Sequence, residues 1–110
     1  LNFWATWCPY CRKERAHLNT LYKDYKDKGL IIVSISTDSS VNDVKRFLVN
    51  TPSDFIVLSD SERKVASLYN VGGLPTSVLI SREGIIKNQL IGFQEWTSSS
   101  SRQLIDKFLK

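Results

Sequence analysis

The sequence predicts a single α/β domain, in which parallel strands joined by helices are followed by an antiparallel hairpin. Two observations support this prediction. Apolar runs of strand length alternate with amphipathic helical stretches through residues 1–69, and a short turn containing glycine separates two further apolar runs in residues 76–91. The 110 residues, of which 42% are hydrophobic, are enough to bury one core, and no linker divides them. We therefore expect residues 1–110 to form one domain.

The chain opens with a strand, a helix and a second strand. A short apolar strand is predicted around Leu1–Ala5, and a helix follows over Pro9–Lys28 until Gly29 ends it. The β-branched run Leu30–Ser36 shows little alternation between apolar and polar residues, which is typical of a parallel strand covered on both faces. This part of the chain therefore favours a parallel sheet.

The middle of the chain predicts two more helices with a strand between them. Ser40 is placed to cap a helix that carries its apolar residues on one face and stops before Pro52. A third strand is predicted at Phe55–Leu58. Ser61 can then cap a short helix. The predicted inner face of that short helix consists of Val65, Leu68 and Tyr69.

The last third predicts a hairpin and a closing helix. The apolar runs Thr76–Ser81 and Ile85–Ile91 are joined by a turn at Arg82–Gly84. A final helix is expected to open at Thr97. Its predicted inward residues are Leu104, Ile105 and Phe108.

Charge and hydropathy exclude some classes of function. The 15 basic and 11 acidic residues give a net charge of +4, and the basic residues are dispersed instead of forming a stripe interleaved with aromatic residues. We therefore expect no nucleic-acid partner. No apolar run approaches the roughly 20 residues that span a bilayer. The chain begins without methionine in what resembles the second half of a buried strand, so we expect upstream sequence with an export signal or a membrane anchor.

Cys8 and Cys11 are the only cysteines, and they stand where the first strand gives way to the first helix. Pro9 favours the first helical position, which makes Cys8 the N-cap residue. Backbone N–H groups and the helix dipole both favour a thiolate there, and thiol pKa values in such positions fall to about 3.5–7.5 from about 8.5. Cys8 is therefore the predicted nucleophile and Cys11 the resolving thiol of a disulfide exchange.

Two other interpretations of this pair remain open. The cysteines could form a purely structural disulfide or be two small buried residues. A metal site would need two more ligands, and the only histidine, His17, lies six positions past Cys11 on what should be another face of the helix. We expect no metal and no cofactor apart from the redox-active cysteine pair.

The segment Phe3–Cys11, with the sequence FWATWCPYC, and the segment Gly73–Thr76, with the sequence GLPT, resemble the thioredoxin superfamily. The likeness is to its TlpA/ResA-like branch of extracytoplasmic thiol-disulfide oxidoreductases. It runs across essentially the whole chain, and the region Val41–Leu58 resembles the additional helix and strand of this branch, which thioredoxin proper lacks. The resemblance implies a thioredoxin fold: a central mixed sheet flanked by helices, here with its N-terminal strand or strands missing.

The resemblance also implies partners and a location. The expected partners are protein disulfides or dithiols and an upstream thiol reductant, and the expected role is reduction of protein thiols outside the cytoplasm, as in cytochrome c maturation. We expect a monomer that meets the membrane only through an upstream anchor. Two alternatives are a thiol peroxidase of the same fold and a non-catalytic module that binds a metal or a partner protein. The Pro9–Tyr10 dipeptide is familiar from glutaredoxins, but the approach to the first cysteine is not.

A partner-binding surface is implied around the cysteines. In the family, the proline that matches Pro75 follows a cis peptide bond, which would expose the backbone of Leu74 to an extended partner segment. Trp7 is expected to shape the same surface. Phe93 and Trp96 could line the rim of that surface or cover the hairpin, and we expect the second. The implied partner-binding residues are Trp7, Pro9, Tyr10, Leu74, Pro75 and Thr76.

Glu14 matches the acidic residue that this branch places near its active site. The resemblance implies that Glu14 accepts a proton from the cysteines or tunes their pKa values. Thioredoxin proper has a buried aspartate where this chain has Asn2, so Glu14 is the better candidate for that role. The alternative is that Glu14 is a solvated helix residue among the basic residues Arg12, Lys13 and Arg15.

Overall fold

The computed structural model describes residues 1–110, which form a five-stranded sheet flanked by four α-helices. A single turn of 3-10 helix at Lys26–Lys28 extends the first α-helix. The elements in chain order are β1 (Asn2–Trp4), α1 (Pro9–Tyr25), β2 (Val33–Ser36), α2 (Val41–Asn50), β3 (Ile56–Ser59), α3 (Lys64–Leu68), β4 (Thr76–Ile80), β5 (Ile86–Ile91) and α4 (Ser99–Leu109).

The sheet is mixed, with the strand order β3-β2-β1-β4-β5. β1 and β2 pair in parallel, as do β2 and β3, whereas β4 runs antiparallel to β1 and β5 antiparallel to β4. In the β1–β4 pair, Phe3 stands opposite Thr76. The segment after β1, which carries the cysteines, therefore lies next to the segment before β4, which carries Pro75. The cysteine motif and the Gly73–Thr76 motif lie at the same end of these two strands. The predicted parallel strands and hairpin are confirmed.

β2 is shorter than the apolar run that predicted it. It begins at Val33, and Leu30–Ile32 lie outside any strand. The pairing of β2 with β3 begins at Val33, opposite Ile56, and its pairing with β1 begins at Ser34, opposite Asn2. A surface cavity of about 420 Å³ lies there, between Leu30–Ile31 and the end of β4.

The start of α3 corrects the prediction for Ser61. The carboxylate of Asp60 accepts hydrogen bonds from the backbone N–H groups of Val65 (3.1 Å) and Ala66 (2.8 Å). A carboxylate satisfies two donors at once and carries negative charge to the positive end of a helix, so Asp60 serves better there than a hydroxyl. The inner face is also different, because Ala66 is buried whereas Leu68 is 81% exposed.

Serine side chains cap two other helices. Ser40 accepts from the Asp43 N–H at 3.3 Å, which confirms the predicted start of α2. α4 is capped by Ser98, which accepts from the Ser101 N–H at 3.2 Å, one residue later than the predicted Thr97. The Thr97 hydroxyl instead lies 3.1 Å from His17 Nδ1 on α1.

The buried core lies on both faces of the sheet and reaches the cysteines. A cluster on α1 and α4 includes Trp96, and the hairpin residues Leu79 and Leu90 pack against this cluster. Close to the sheet edge where the cysteines lie, a second cluster combines the end of β1, the start of α1 and α2. Its buried members are Trp4, Ala5, Cys8, Cys11 and Val44.

Candidate active site

The two cysteines occupy the first turn of α1 in the predicted geometry. Cys8 is the N-cap residue with an extended backbone, Pro9 holds the first helical position, and the Cys11 N–H donates to Cys8 Sγ at 3.3 Å. The two sulfur atoms lie within bonding distance and form a disulfide across a Cα–Cα distance of 5.2 Å. Both residues are buried, Cys11 more deeply than Cys8. The pair is therefore positioned by the first turn of α1 and the cap of that helix.

A buried aspartate fixes the loop that leads into Cys8. Asp38 follows β2, and its carboxylate accepts from the Thr6 N–H at 3.0 Å, the Thr6 hydroxyl at 2.6 Å and the Ser36 hydroxyl at 2.6 Å. Arg12 Nη1 also donates to the Thr6 carbonyl at 2.9 Å. No local pattern indicates this role for Asp38, because its partner Thr6 lies 32 positions away.

Exposed aromatic side chains flank the cysteines. Trp7 is 67% exposed and Tyr10 is 62% exposed, and Pro9 between them is also exposed. Phe93, which was expected to cover the hairpin, instead lies beside α1. Its ring centroid is 6.3 Å from that of Tyr10, and Lys13 Nζ stands 5.0 Å from the Phe93 centroid. The expectation for Phe93 is therefore wrong, and this residue extends the aromatic surface around the cysteines.

The segment before β4 lies on the other side of the cysteines. The Leu74–Pro75 peptide bond is cis, and the half-buried Leu74 packs against the cysteine cluster. Pro75 is fully buried, and its carbonyl accepts from the Gly92 N–H at 2.8 Å. Thr76 is buried as well, with its hydroxyl donating to the Gly73 carbonyl at 2.6 Å. Of the three residues predicted here to contact a partner, only Leu74 therefore offers its side chain to the surface.

Glu14 is buried, so the alternative of a solvated helix residue is wrong. It is 1% exposed, Oε1 accepts from Asn2 Nδ2 at 2.7 Å, and Oε2 accepts from the Gln94 N–H at 2.8 Å. Burial raises the pKa of Glu14 above its ordinary value, and the hydrogen bonds from Gln94 and Asn2 partly oppose this rise. The nearby indole of Trp96 also lowers the pKa of Glu14, by less than Gln94 and Asn2 do. The indole N–H itself makes no hydrogen bond of normal geometry.

The position of Glu14 suits an exchange of protons with the cysteine pair. Glu14 follows Cys11 by three positions on α1, and side chains at that spacing are neighbours, with Cβ atoms about 5–6 Å apart. Asn2 holds the carboxylate from β1 and also donates to Ser77 Oγ on β4 at 3.1 Å. Asn2 therefore links the Glu14 carboxylate to β1 and β4.

Arg15 is a buried residue that the sequence did not single out. It is 1% exposed, with Nη1 donating to Ser34 Oγ at 2.8 Å and Nη2 to Ser53 Oγ. Its guanidinium carbon lies 3.9 Å from the ring centroid of Trp4. Burial lowers the pKa of Arg15 to about 10, which leaves the group protonated at neutral pH. In the sequence it had appeared only as one of several basic neighbours of Glu14.

The structure brings no set of three or more histidine, cysteine, aspartate or glutamate side chains together as metal ligands. His17 lies edge-on to Phe93, with ring centroids 5.7 Å apart, and faces Thr97. None of the helices combines the length and the apolar character required to span a bilayer.

A comparison with known families agrees with the fold and with the cysteine geometry. The pattern of the AhpC/TSA family matches residues 1–89. The chain belongs to this family. Its sheet, its flanking helices and its first helix with the cysteine pair have the arrangement of a thioredoxin fold, and solved thioredoxin-fold structures superpose on it closely.

Individual relatives share the fold and much of the sequence. The thiol-disulfide oxidoreductase ResA of Bacillus thuringiensis (strain Al Hakam) is 43% identical over 94 residues, which cover 86% of this chain and 54% of that protein. A DsbE-type thiol:disulfide interchange protein of Chlorobium tepidum superposes with a TM-score of 0.93 at 35% identity, covering 99% of this chain and 77% of the other. A thiol:disulfide interchange protein from Bacteroides sp. superposes with a TM-score of 0.76 at 30% identity, with coverages of 98% and 70%. The chain spans about half the length of the curated relatives that it matches.

Proposed function

We propose that this chain exchanges disulfides with the thiols of partner proteins through Cys8 and Cys11. The observation that carries this proposal is the placement of Cys8 Sγ at the N-terminus of α1, where it accepts a hydrogen bond from the Cys11 N–H and lies within bonding distance of the Cys11 sulfur. A helix N-terminus favours a thiolate, which is the form of cysteine that attacks disulfides. Relatives named as thiol-disulfide oxidoreductases give the proposal independent support.

The reaction proceeds in two steps that conserve electrons. The Cys8 thiolate attacks one sulfur of a partner disulfide, so that a Cys8–partner disulfide forms and the second partner sulfur leaves as a thiolate, which takes up a proton. Cys11 then loses its proton and attacks Cys8 Sγ, which closes the Cys8–Cys11 disulfide and releases the partner's other sulfur. The partner gains two electrons and the cysteine pair loses two. A dithiol reductant reverses the change in this chain.

The position and the pKa of Glu14 support a role in the proton exchange of Cys11. Glu14 lies one turn further along α1 and is out of contact with bulk water. Its pKa is raised, so it is closer to the pKa of a thiol than the pKa of an exposed glutamate is. We propose that Glu14 accepts the Cys11 proton when Cys11 attacks the mixed disulfide, and that it returns the proton when the pair is reduced again.

The surface beside the cysteines fits an extended segment of a protein partner. Trp7 and Tyr10 present exposed rings on one side, and Leu74 closes the other side. Following the resemblance, we propose that the substrates are disulfides of proteins outside the cytoplasm, that an upstream thiol reductant resets the pair, and that no other cofactor takes part. Recognition by edge pairing with the Leu74 backbone and by apolar contacts with the rings would tolerate many partner sequences.

Two cysteine variants test the proposal. With a disulfide-bonded protein as substrate and dithiothreitol as reductant, Cys8→Ser is expected to abolish exchange. Cys11→Ser is expected to accumulate a covalent complex with the substrate, which is visible on non-reducing gels and disappears on reduction. Thr20→Ser, an exposed substitution on α1 two turns past the cysteines, is the matched control and should exchange like the unaltered chain. Full exchange by Cys8→Ser would contradict the proposal.

The same preparations separate the two alternative functions. Rapid consumption of hydrogen peroxide with a thiol donor, without exchange on protein disulfides, would support a thiol peroxidase. A stoichiometric metal retained after purification, together with no exchange, would support a binding module.

A further inference from the structure

Arg15 is the only basic side chain in the buried interior, and it has no acidic partner. Its hydrogen bonds go to two serine hydroxyls, on Ser34 and Ser53, and its Nε has no acceptor. All the ion pairs of the chain are formed by other residues. Burying a guanidinium without a counter-ion costs several kcal/mol of folding free energy, so other groups must offset the cost of burying Arg15.

Aromatic faces enclose the Arg15 guanidinium. Its central carbon lies 3.9 Å from the ring centroid of Trp4, 5.2 Å from that of Phe55 and 5.9 Å from that of Phe47. The negative faces of aromatic rings attract a cation, which lowers the cost of burial. They carry no formal charge, however, so the positive charge of Arg15 still acts on its surroundings in a medium that screens it weakly.

Arg15 is linked to the cysteine pair by its position on α1 and through Trp4. Arg15 follows Cys11 by four positions on α1, a spacing that places two side chains on the same face of a helix. Trp4, on which the guanidinium stacks, belongs to the buried cluster that contains Cys8 and Cys11. The Trp4 ring therefore contacts the guanidinium and belongs to the same buried cluster as the two cysteines.

The buried carboxylates near the cysteines are engaged elsewhere. Glu14 points away from Arg15, toward Asn2 on β1 and Gln94 after β5. Asp38 is held by hydrogen bonds from the loop that precedes Cys8. Neither of them contacts the guanidinium. In the oxidised chain Arg15 forms no ion pair, and reduction of the disulfide can create an anion in the buried cluster that includes Trp4.

We propose that the buried guanidinium of Arg15 is the internal counter-ion of the reduced cysteine pair, and that its fixed charge stabilises the thiolate formed when the disulfide opens. This inference rests on the proposed function and specifies how the redox equilibrium of that site is set. When a dithiol reduces the Cys8–Cys11 bond, the pair takes two electrons and becomes one thiol and one thiolate, the dithiol becomes a disulfide, and one proton goes to solvent. Because Arg15 favours the charged product, it makes the reduced form easier to reach.

Two measurements test this role. In a Cys11→Ala background, the Cys8 thiolate is titrated by its ultraviolet absorbance, and in the intact pair the redox equilibrium is measured against glutathione. Arg15→Met is expected to raise the pKa of the Cys8 thiol by about one unit. It should also shift the redox equilibrium about tenfold toward the disulfide, which corresponds to a reduction potential about 30 mV lower. Values equal to those of the unaltered chain would overturn the proposal.

Further variants separate charge from packing. Arg15→Gln is neutral but can still hydrogen-bond to a serine hydroxyl, so it should give the same shifts as Arg15→Met and it decides the outcome if Arg15→Met does not fold. Phe55→Leu loosens the packing around the guanidinium without changing a charge, and it should leave both values unchanged. Shifts in Phe55→Leu as large as those in the neutral variants would show that packing is the cause and would refute the inference.

The proposed function is tested independently of this inference. The unaltered chain is assayed for exchange with a disulfide-bonded protein, and a failure there contradicts the proposed function whatever the Arg15 variants show. If the unaltered chain exchanges disulfides and the neutral variants have unchanged thiolate titrations, the role of Arg15 alone is refuted.

Discussion

Glu14 and Arg15 are consecutive residues of α1 and each is 1% exposed, yet their charged groups have different kinds of partners. The two oxygens of Glu14 each accept an N–H, one from a side chain and one from a backbone amide. Arg15 has only hydroxyl acceptors for two of its nitrogens and none for Nε. The carboxylate is therefore satisfied by hydrogen bonds, whereas the guanidinium depends on aromatic rings for much of its environment.

Helix geometry explains how neighbours in sequence come to face such different surroundings. Successive side chains on an α-helix point about 100° apart, because 3.6 residues complete a turn. Glu14 faces β1 and the loop after β5, while Arg15 faces β2 and the loop after α2. Both follow Cys11 at neighbour spacing. The second turn of α1 thus carries a titratable acid and a cation that face different elements of the fold.

The largest effect on stability is expected from Arg15→Ala. It leaves a cavity among the aromatic rings and removes their cation contacts, which should lower the free energy of unfolding by about 3 kcal/mol in urea titrations of the oxidised protein. Arg15→Met fills most of the same volume without burying a charge, so it should cost less than about 1 kcal/mol. Equal losses in both variants would show that the hydrogen bonds to serine, and not the filled volume, hold this region together.

Glu14→Gln should cost about 2 kcal/mol, less than Arg15→Ala. Glutamine offers a single acceptor oxygen, so either the Asn2 amide or the Gln94 N–H is left facing an NH₂ group in the interior. The measurement is again urea unfolding of the oxidised protein near neutral pH. Glu62→Gln, at an exposed position, is the matched control and should change stability by less than about 0.5 kcal/mol. A loss in Glu14→Gln no greater than in the control would show that the two hydrogen bonds of Glu14 contribute nothing.

The free energy of unfolding should depend on pH through the titration of Glu14. Its pKa in the folded chain is raised above the ordinary 4.5, so between those two values the folded state holds a proton that the unfolded state has released. The stabilisation from that proton is fully present below pH 4.5 and is lost as the pH rises through the folded pKa. The loss amounts to about 1.4 kcal/mol for each unit by which the pKa is raised. Glu14→Gln should lack this dependence, and parallel pH profiles for the two proteins would contradict the expectation.

Local patterns in the sequence were enough to predict the order of the helices and strands and the position of the cysteine pair. The cap formed by Cys8 depends on Pro9 and on the backbone of Cys11, all within one turn, and the cap formed by Ser40 is equally local. Such contacts are set by residue types three or four positions apart, which a sequence displays directly. For the same reason the strands of the hairpin could be placed from their apolar runs and the turn between them.

Long-range contacts explain what the sequence did not disclose. Arg15 contacts Ser34, Ser53 and Trp4, which come from three other parts of the chain. No sequence pattern on α1 indicates that this arginine is buried. Phe93 reaches Tyr10 across 83 positions through the turn at Gly92, where φ is +93°. Pairings of this kind depend on how the sheet is closed, so they become visible only when the fold is known.

The smallest effect is expected at the hydroxyls that hold Arg15. Ser34 is fully buried, so Ser34→Ala leaves Nη1 without an acceptor and should lower the free energy of unfolding by about 1 kcal/mol. Ser53 is half-buried, and water can replace its hydroxyl as the acceptor for Nη2, so Ser53→Ala should cost less than about 0.5 kcal/mol. Urea unfolding of the two variants side by side measures the difference. Equal costs would mean that water does not reach the guanidinium from the side of Ser53, and the region around Arg15 would then be as closed as the region around Glu14.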